Sequence, residues 1–146
     1  MKKNSIVFID TSAWIAILDD KKSNHSEARI YFDRLLAQSS RIVTNNFIVD
    51  ETIALLKGKF SSDFAKQFLA IINESVLSVT LRVDWISRRN RRIALDNFFK
   101  TSNVNLSLKH FYIYESLKRK KVDFVFSYDE HLKHFDIPVM PQNSQN

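Results

Sequence analysis

Three carboxylates in this chain stand where chemistry could use them. Asp10 follows the unbroken apolar run Ile6 to Ile9 and precedes Thr11 and Ser12 in "VFIDTSAWIAILDD". Asp129 stands in a similar relation to "FVFS", separated from Ser127 by the turn residue Tyr128. Glu51 has Phe47, Ile48, Ala54 and Leu55 at i−4, i−3, i+3 and i+4, which places it on the apolar face of a helix. A carboxylate buried there must be protonated, paired with a cation or bound to a metal, because a bare buried charge costs several kcal/mol. Asp50, with Asn46 and Lys57 on its side, reads as a solvated neighbour. Asp10 has an ordinary alternative, since Asp, Thr and Ser also cap helix N-termini and "SAWIAIL" reads as a short helix entered from a strand.

The elements around these residues decide how they are presented. "SIVFI" reads as a strand, followed by the short helix and by "NHSEARIYFDRLLAQ", a helix opened by an Asn24/Glu27 capping box. "RIV" is a second strand; "NNFIVDETIALL" and "SDFAKQFLAIIN" are helices separated near Gly58, the only glycine; "VLSVTL" is a third strand. A basic helix is expected over about residues 83 to 100, then "LSLKHFYIYESLKRK" as another helix and "DFVFS" as a fourth strand. Strands alternating with helices imply a central parallel sheet of four or five strands with helices on both faces, an α/β/α sandwich. Ligands in such folds bind beyond the carboxyl ends of the strands, where Asp10 and Asp129 fall.

A chain of 146 residues with 45% hydrophobic and 12% aromatic residues can fill one core, expected as a single domain over residues 1–140 with a disordered tail, "PQNSQN", over 141–146. Cysteine is absent, which excludes disulfides and thiolate metal sites and fits a reducing cytosol. Lys2 and Lys3 ahead of apolar residues resemble the start of a signal peptide, but Asp10 interrupts the apolar run and no small-residue cleavage site follows. No run approaches the length of a membrane span, so the chain is expected to be cytoplasmic. With one glycine, nucleotide-binding glycine loops are excluded, and the G-x-S-x-G elbow of serine hydrolases is missing. His131 and His134 are spaced i, i+3 but lack a clear third zinc ligand. Trp14 and Trp85 read as core or dimer-interface residues.

The net charge is +6, concentrated in "RVDWISRRNRR", with Arg82, Arg88, Arg89, Arg91 and Arg92, and in Lys118, Arg119, Lys120 and Lys121. Each cluster is either a solvated helix face or a seat for a polyanion such as nucleic acid.

Together these segments resemble the PIN-domain ribonucleases of the VapC toxin type. "FIDTSAWIAIL" is similar to that family's opening strand with its Asp-Thr-Ser, "TNNFIVDETIALL" to the helix bearing its Glu, and "LSLKHFYIYESLKRKKVDFVFSYDEHL" to its closing stretch, so that the resemblance spans residues 5 to about 139. It implies a PIN-like sandwich, hydrolysis of RNA phosphodiester bonds, an antitoxin partner and a homodimer. Carried over position by position, it makes Asp10, Glu51 and Asp129 acids for Mg²⁺ or Mn²⁺, with Thr11, Ser12 and Ser127 as nearby hydroxyls, all expected to converge with His110 in one acidic cleft. His110 stands where the family usually has a further Asp, and its helical neighbours Leu106, Ile113, Tyr114 and Leu117 turn it inward. Glu115 cannot replace that acid, because five residues along a helix is about 140° around its axis. Phosphodiester hydrolysis adds negative charge to anionic oxygens, and divalent cations held by hard carboxylates neutralise it and activate water. Three acids and a His suit one such ion well and a second poorly, and imidazole suits Mn²⁺ better than Mg²⁺. His110 could otherwise contact phosphate or move a proton. The expected rim for RNA is Arg88, Arg89, Arg92 and Lys118, Arg119, Lys120 and Lys121. Two other classes remain open: a weakened PIN domain that binds RNA or a protein without efficient cleavage, and a phosphoacceptor domain, which fits less well because Asp129 stands where such a domain wants a lysine.

Overall fold

Apolar runs without alternation, such as "IVFI" and "FVF", can be satisfied only between two layers of helices. The computed structural model describes residues 4–142 and places these runs in the middle of the protein. Five parallel strands, β1 (Ile6–Ile9), β2 (Arg41–Asn45), β3 (Leu81–Asp84), β4 (Phe124–Phe126) and β5 (Val139–Met140), form one sheet in the order β3-β2-β1-β4-β5. Six helices cover it: α1 (Thr11–Leu18), α2 (His25–Ala37), α3 (Asn46–Lys59), α4 (Ser62–Leu77), α5 (Arg88–Lys100) and α6 (Leu108–Arg119), with a 3-10 helix over Glu130–Phe135. The architecture is the expected α/β/α sandwich.

Val7, Phe8, Ile9, Val125 and Phe126 are fully buried at the centre, each large side chain contributing about 1.5–3 kcal/mol of burial. A second apolar cluster joins α5 to α6 through Ala94, Leu106, Phe111 and Tyr112, with Phe47 of α3 stacked on Tyr112 at 3.9 Å between ring centroids.

Because every strand runs the same way, Ile6, Arg41, Leu81 and Phe124 begin strands on one edge, and the chain leaves the sheet after Ile9, Asn45, Asp84 and Phe126 on the other. Register is fixed by pairs such as Phe8 with Val43 and Phe8 with Val125. After β1 the chain moves to one side for β2 and β3, then returns past β1 to place β4 on the other side. A crevice between β1 and β4 at the carboxyl edge follows from that reversal.

Several expected boundaries shift. "VLSVTL" is not a strand: Val76 and Leu77 finish α4, Val79 turns the chain with φ of 60°, and the Thr80 amide donates to Ser75 O at 3.0 Å, so β3 begins only at Leu81. The basic helix therefore starts at Arg88, where Ser87 accepts a hydrogen bond from the Asn90 amide, and not near residue 83. The break between α3 and α4 falls after Phe60, where Ser61 caps α4, while Gly58 lies inside α3. Asn24 precedes α2, but its side chain makes no capping bond; Glu27 instead accepts from the Tyr128 hydroxyl at 3.0 Å. Of the expected disordered tail, residues 143–146 lie outside the described residues, while Pro141 and Gln142 are placed beside β5.

Candidate active site

Asp10 occupies the N-cap position of α1, and its backbone carbonyl accepts from the Ala13 and Trp14 amides. Its side chain, however, makes no capping bond and turns into the crevice between β1 and β4. There Oδ2 accepts from Ser127 Oγ at 2.8 Å and from Ser12 Oγ at 3.3 Å. The two serines touch at 3.1 Å, Ser12 Oγ accepts the Tyr128 amide at 2.9 Å, and Ser127 Oγ accepts the Asp129 amide at 2.9 Å. This lattice fixes the turn after β4 against the start of α1. Asp10 is fully buried, and its Oδ1 has no hydrogen-bond partner. Burial pushes its carboxyl above the usual range, against the opposing pull of the Lys109 ammonium and the Ser127 hydroxyl. Thr11 is also buried, with its hydroxyl 3.4 Å from Thr52 of α3.

Asp129 caps the 3-10 helix through Oδ1, which accepts the His131 amide at 3.0 Å, and its Oδ2 meets His110 Nε2 at 2.7 Å. Burial acts to raise this carboxyl, but the hydrogen bonds from His110 and His131, with the Lys109 charge, hold it below the usual range. His110 is buried near the start of α6 and accepts the Ser107 amide on Nδ1 at 2.9 Å. An N–H donor requires a lone pair on Nδ1, so the ring proton belongs on Nε2 and points at Asp129. Both ring nitrogens are thereby committed, one to the helix cap and one to the carboxylate, and neither is available as a metal ligand in this arrangement.

Glu51 departs from expectation. The buried stripe of α3 is Ile48, Val49, Thr52 and Leu56, whereas Ala54 and Leu55 are exposed, so Glu51 lies on the flank of that stripe with its side chain 37% exposed. Its Oε1 accepts from Lys109 Nζ at 3.3 Å. Nothing in the sequence singles out Lys109, which pairs with Glu51 across 58 residues. Burial opposes its charge, but Asp10, Glu51 and Asp129 together outweigh burial and raise its pKa above the ordinary lysine value.

The donor set suits a hard divalent cation: carboxylate oxygens only, one of them buried and unpartnered. Among the described residues no group of three or more Asp, Glu, His or Cys side chains is placed so that it could hold a metal ion. Mg²⁺ does not require such a group, since it keeps several waters and takes one or two carboxylates.

The basic clusters separate. Arg88, Arg89 and Arg92 are exposed on the first turns of α5, which enters from the carboxyl end of β3 on the same side of the sheet as the acids. The other cluster does not form a rim. Arg119 donates to the buried Asp84 at 2.5 Å, and Lys118 pairs with the buried Glu115 at 2.8 Å while lying 4.5 Å over the Tyr114 ring. Lys120 lines a cavity of about 570 Å³ with Arg41 and Arg82, at the amino edge. Lys121 follows it in the turn leading to β4. Trp14 packs edge-on against Phe32 and Phe68 in the core, whereas Trp85 is 72% exposed just after β3. His131 faces His110 and His134 faces Asn103, so the pair does not point at one ion.

The PIN domain family model matches residues 7–138, and the chain belongs to that family. Its fold is also that of a VapC-type toxin. The crystal structure of Mycobacterium tuberculosis VapC20, described as a sarcin-ricin loop cleaving toxin, aligns with a TM-score of 0.74 over 88% of this chain and 93% of that one, at 21% identity. No curated protein matches the chain.

Proposed function

We propose that this chain is a metal-dependent endoribonuclease, the toxin of a toxin–antitoxin pair, acting as a single domain over residues 1–140 in the cytoplasm. The observation that carries the reading is the buried Asp10 carboxylate at the β1/β4 crevice, with one oxygen unpartnered and the other held by the same Ser127 hydroxyl that accepts the Asp129 amide. A buried, desolvated acid destabilises a protein unless something binds it, and family membership supports a nuclease. Asp10, Glu51 and Asp129 would hold Mg²⁺ or Mn²⁺. The chemistry such an ion supplies is neutralisation of charge at the scissile phosphate and activation of the attacking water.

The protein's own groups do the rest. Ser12 and Ser127 hold Asp10 Oδ2, leaving Oδ1 as its free donor oxygen. His110 holds Asp129 in one orientation and thus acts as a positioning residue at the place of the family's further acid. Arg88, Arg89 and Arg92 meet the RNA backbone beside the crevice. Among the described residues no helix is long and apolar enough to cross a membrane. Trp85, Phe99 and Val104 are each exposed apolar side chains, and the family resemblance implies a two-fold pair; light scattering should return twice the chain mass at micromolar concentration, and a monomer mass contradicts the dimer.

The test is cleavage of RNA by purified protein with EDTA, Mg²⁺ or Mn²⁺, beside Asp10→Asn. Activity is expected only with a divalent ion and only with Asp10 intact; cleavage that survives either removal overturns the reading. A second reading, a domain that binds RNA or its partner with little cleavage, is favoured by one observation: His110 replaces an acid and has no free nitrogen. RNA binding without cleavage under every metal condition would establish it.

A further inference from the structure

Resting on the nuclease reading above, we propose that the cavity beside Asp129 is a nucleobase subsite, which seats an unpaired guanine adjoining the scissile phosphate of the RNA. The cavity has a volume of about 860 Å³, and Asn24, Glu27, Ser127, Tyr128, Asp129 and Pro141 are on its wall. That volume falls in the usual range for a small-molecule site, about 300–1,000 Å³, and has room for a nucleoside. Two of the wall residues, Ser127 and Asp129, also belong to the candidate active site, where Ser127 holds Asp10 and His110 holds Asp129. The cavity therefore adjoins the acids themselves, and a phosphate held by them brings its neighbouring nucleoside to it.

The wall selects the occupant. Glu27, Asp129 and Glu130 place three carboxyls on it against one cation, Lys133, which is paired with Glu130 at 2.7 Å. Such a wall repels a phosphate and favours a neutral group rich in hydrogen-bond donors. Glu27 is the acid placed to read that group: its Oε1 accepts from the Tyr128 hydroxyl at 3.0 Å, and its Oε2 has no hydrogen bond or ion pair among the described residues. An ionised carboxylate only accepts. Guanine presents two adjacent donors, N1–H and the N2 amino group, on its Watson–Crick edge, which match the two oxygens of one carboxylate. Adenine and cytosine set their amino group beside an acceptor nitrogen, and uracil sets one N–H between two carbonyls, so each would face Glu27 with an unmatched acceptor. Tyr128 ties the subsite to the crevice, because its amide donates to Ser12 Oγ at 2.9 Å while its hydroxyl orients Glu27. The Tyr128 and Pro141 rings supply apolar wall of the kind on which bases stack. An acid in the first turn of α2 is favourable at any helix start, but that role requires neither a partner 101 residues away nor a cavity.

Nuclear magnetic resonance titration of the whole chain in EDTA with guanosine, adenosine, cytidine and uridine, which carry no phosphate, tests the subsite without metal. Guanosine should shift the Asn24, Glu27 and Tyr128 resonances and bind at least about tenfold more tightly than the other three. Glu27→Gln, which keeps the shape but replaces the ionised acceptor by an amide, should lose about tenfold in guanosine affinity. Tyr128→Phe, which leaves Glu27 without its orienting hydroxyl, should lose less. Mapped cuts in a random-sequence RNA with Mn²⁺ should lie beside guanine for wild type and lose that preference in Glu27→Gln. Equal binding of the four nucleosides, no guanosine shift at these residues, or unchanged guanosine affinity in a folded Glu27→Gln protein overturns the proposal and leaves the cavity to a protein partner. Should Glu27→Gln fail to fold, Tyr128→Phe is judged by the same criteria. Failure of the nuclease reading has a separate signature: RNA would then stay uncut with every ion while guanosine still bound.

Discussion

The two edges of the sheet carry opposite chemistry. At the carboxyl edge, Ser127 ties Asp10 to the Asp129 amide, Lys109 pairs with Glu51 at 3.3 Å, and Asp10 is fully buried with an unpartnered oxygen. At the amino edge, Arg41, Arg82 and Lys120 line a cavity that no acid lines. Both edges tolerate charge, but differently. The amino-edge cations reach water and need no partner, whereas the buried Asp10 has only two serine hydroxyls on one oxygen and no partner on the other. An excess of like charge in solvent is cheap; the same excess in a desolvated crevice represents stored unfavourable energy that a ligand can release.

Neutralising the crevice should give the largest effect. On the proposed metal-holding role, Asp10→Asn should lower cleavage by at least about a thousandfold. It should also raise the melting temperature in EDTA by a few degrees, because a buried charge is gone. Since the folded-state pKa of Asp10 is raised, its stabilising protonated form is complete at low pH and is lost as pH rises through that value. The wild-type advantage in acid should thus shrink toward neutral pH, and Asp10→Asn should abolish that trend. An unchanged or lower melting temperature in EDTA breaks the comparison.

Reversal of Arg88, Arg89 and Arg92 to Glu comes next. Filter binding should show RNA affinity reduced about tenfold to a hundredfold, with the salt slope flattened by about 0.7 to 0.9 for each phosphate that is no longer neutralised. The matching reversal of Arg41 and Arg82 at the amino edge should leave cleavage within about twofold. Equal effects from the two edges would mean that RNA does not distinguish them.

His110→Asn sharpens the comparison within the crevice. Asp129 is held below the ordinary carboxylate range, so its contribution is present above the unfolded value of 3.8 and is lost as pH falls through the lower folded value. Removing the imidazole should move the acid-unfolding midpoint up by less than about one pH unit, followed by circular dichroism. His110→Asp should melt lower in EDTA and recover with Mg²⁺, as a fourth carboxylate adds repulsion that only a cation relieves.

The smallest effect on the crevice belongs to Asp84→Asn. Asp84 is buried and also accepts from Ser116 Oγ at 2.7 Å, while Arg119 is 31% exposed, so the substitution should cost about 1–3 kcal/mol in a denaturant melt and leave metal binding unchanged.

What is legible in the sequence follows a physical line. β1 with Asp10, β4 with Ser127, and the inward His110 can be read because apolar runs and helical spacing are local signals. The pattern around Glu51 predicts burial because Ala54 and Leu55 are apolar, yet both are exposed; periodicity registers side-chain type and not which flank the sheet covers. "VLSV" has strand composition and so places β3 too early, because a β-branched Val79 at positive φ just past a helix is a conformation such residues seldom adopt. Lys109 is invisible in the sequence because its importance arises wholly from long-range partners. The same holds for Arg119, whose basic neighbourhood masks its pairing with a buried acid in another element.

The bond from Ser127 to Asp10 joins residues 117 positions apart. Synthesis proceeds from the N-terminus, and such distant pairings are the slowest to form. A nascent chain short of Ser127 has Asp10 but neither Asp129 nor the turn that fixes it. The crevice around Asp10 therefore cannot be assembled until synthesis has passed Asp129, and until then the acid that ends up buried remains in water.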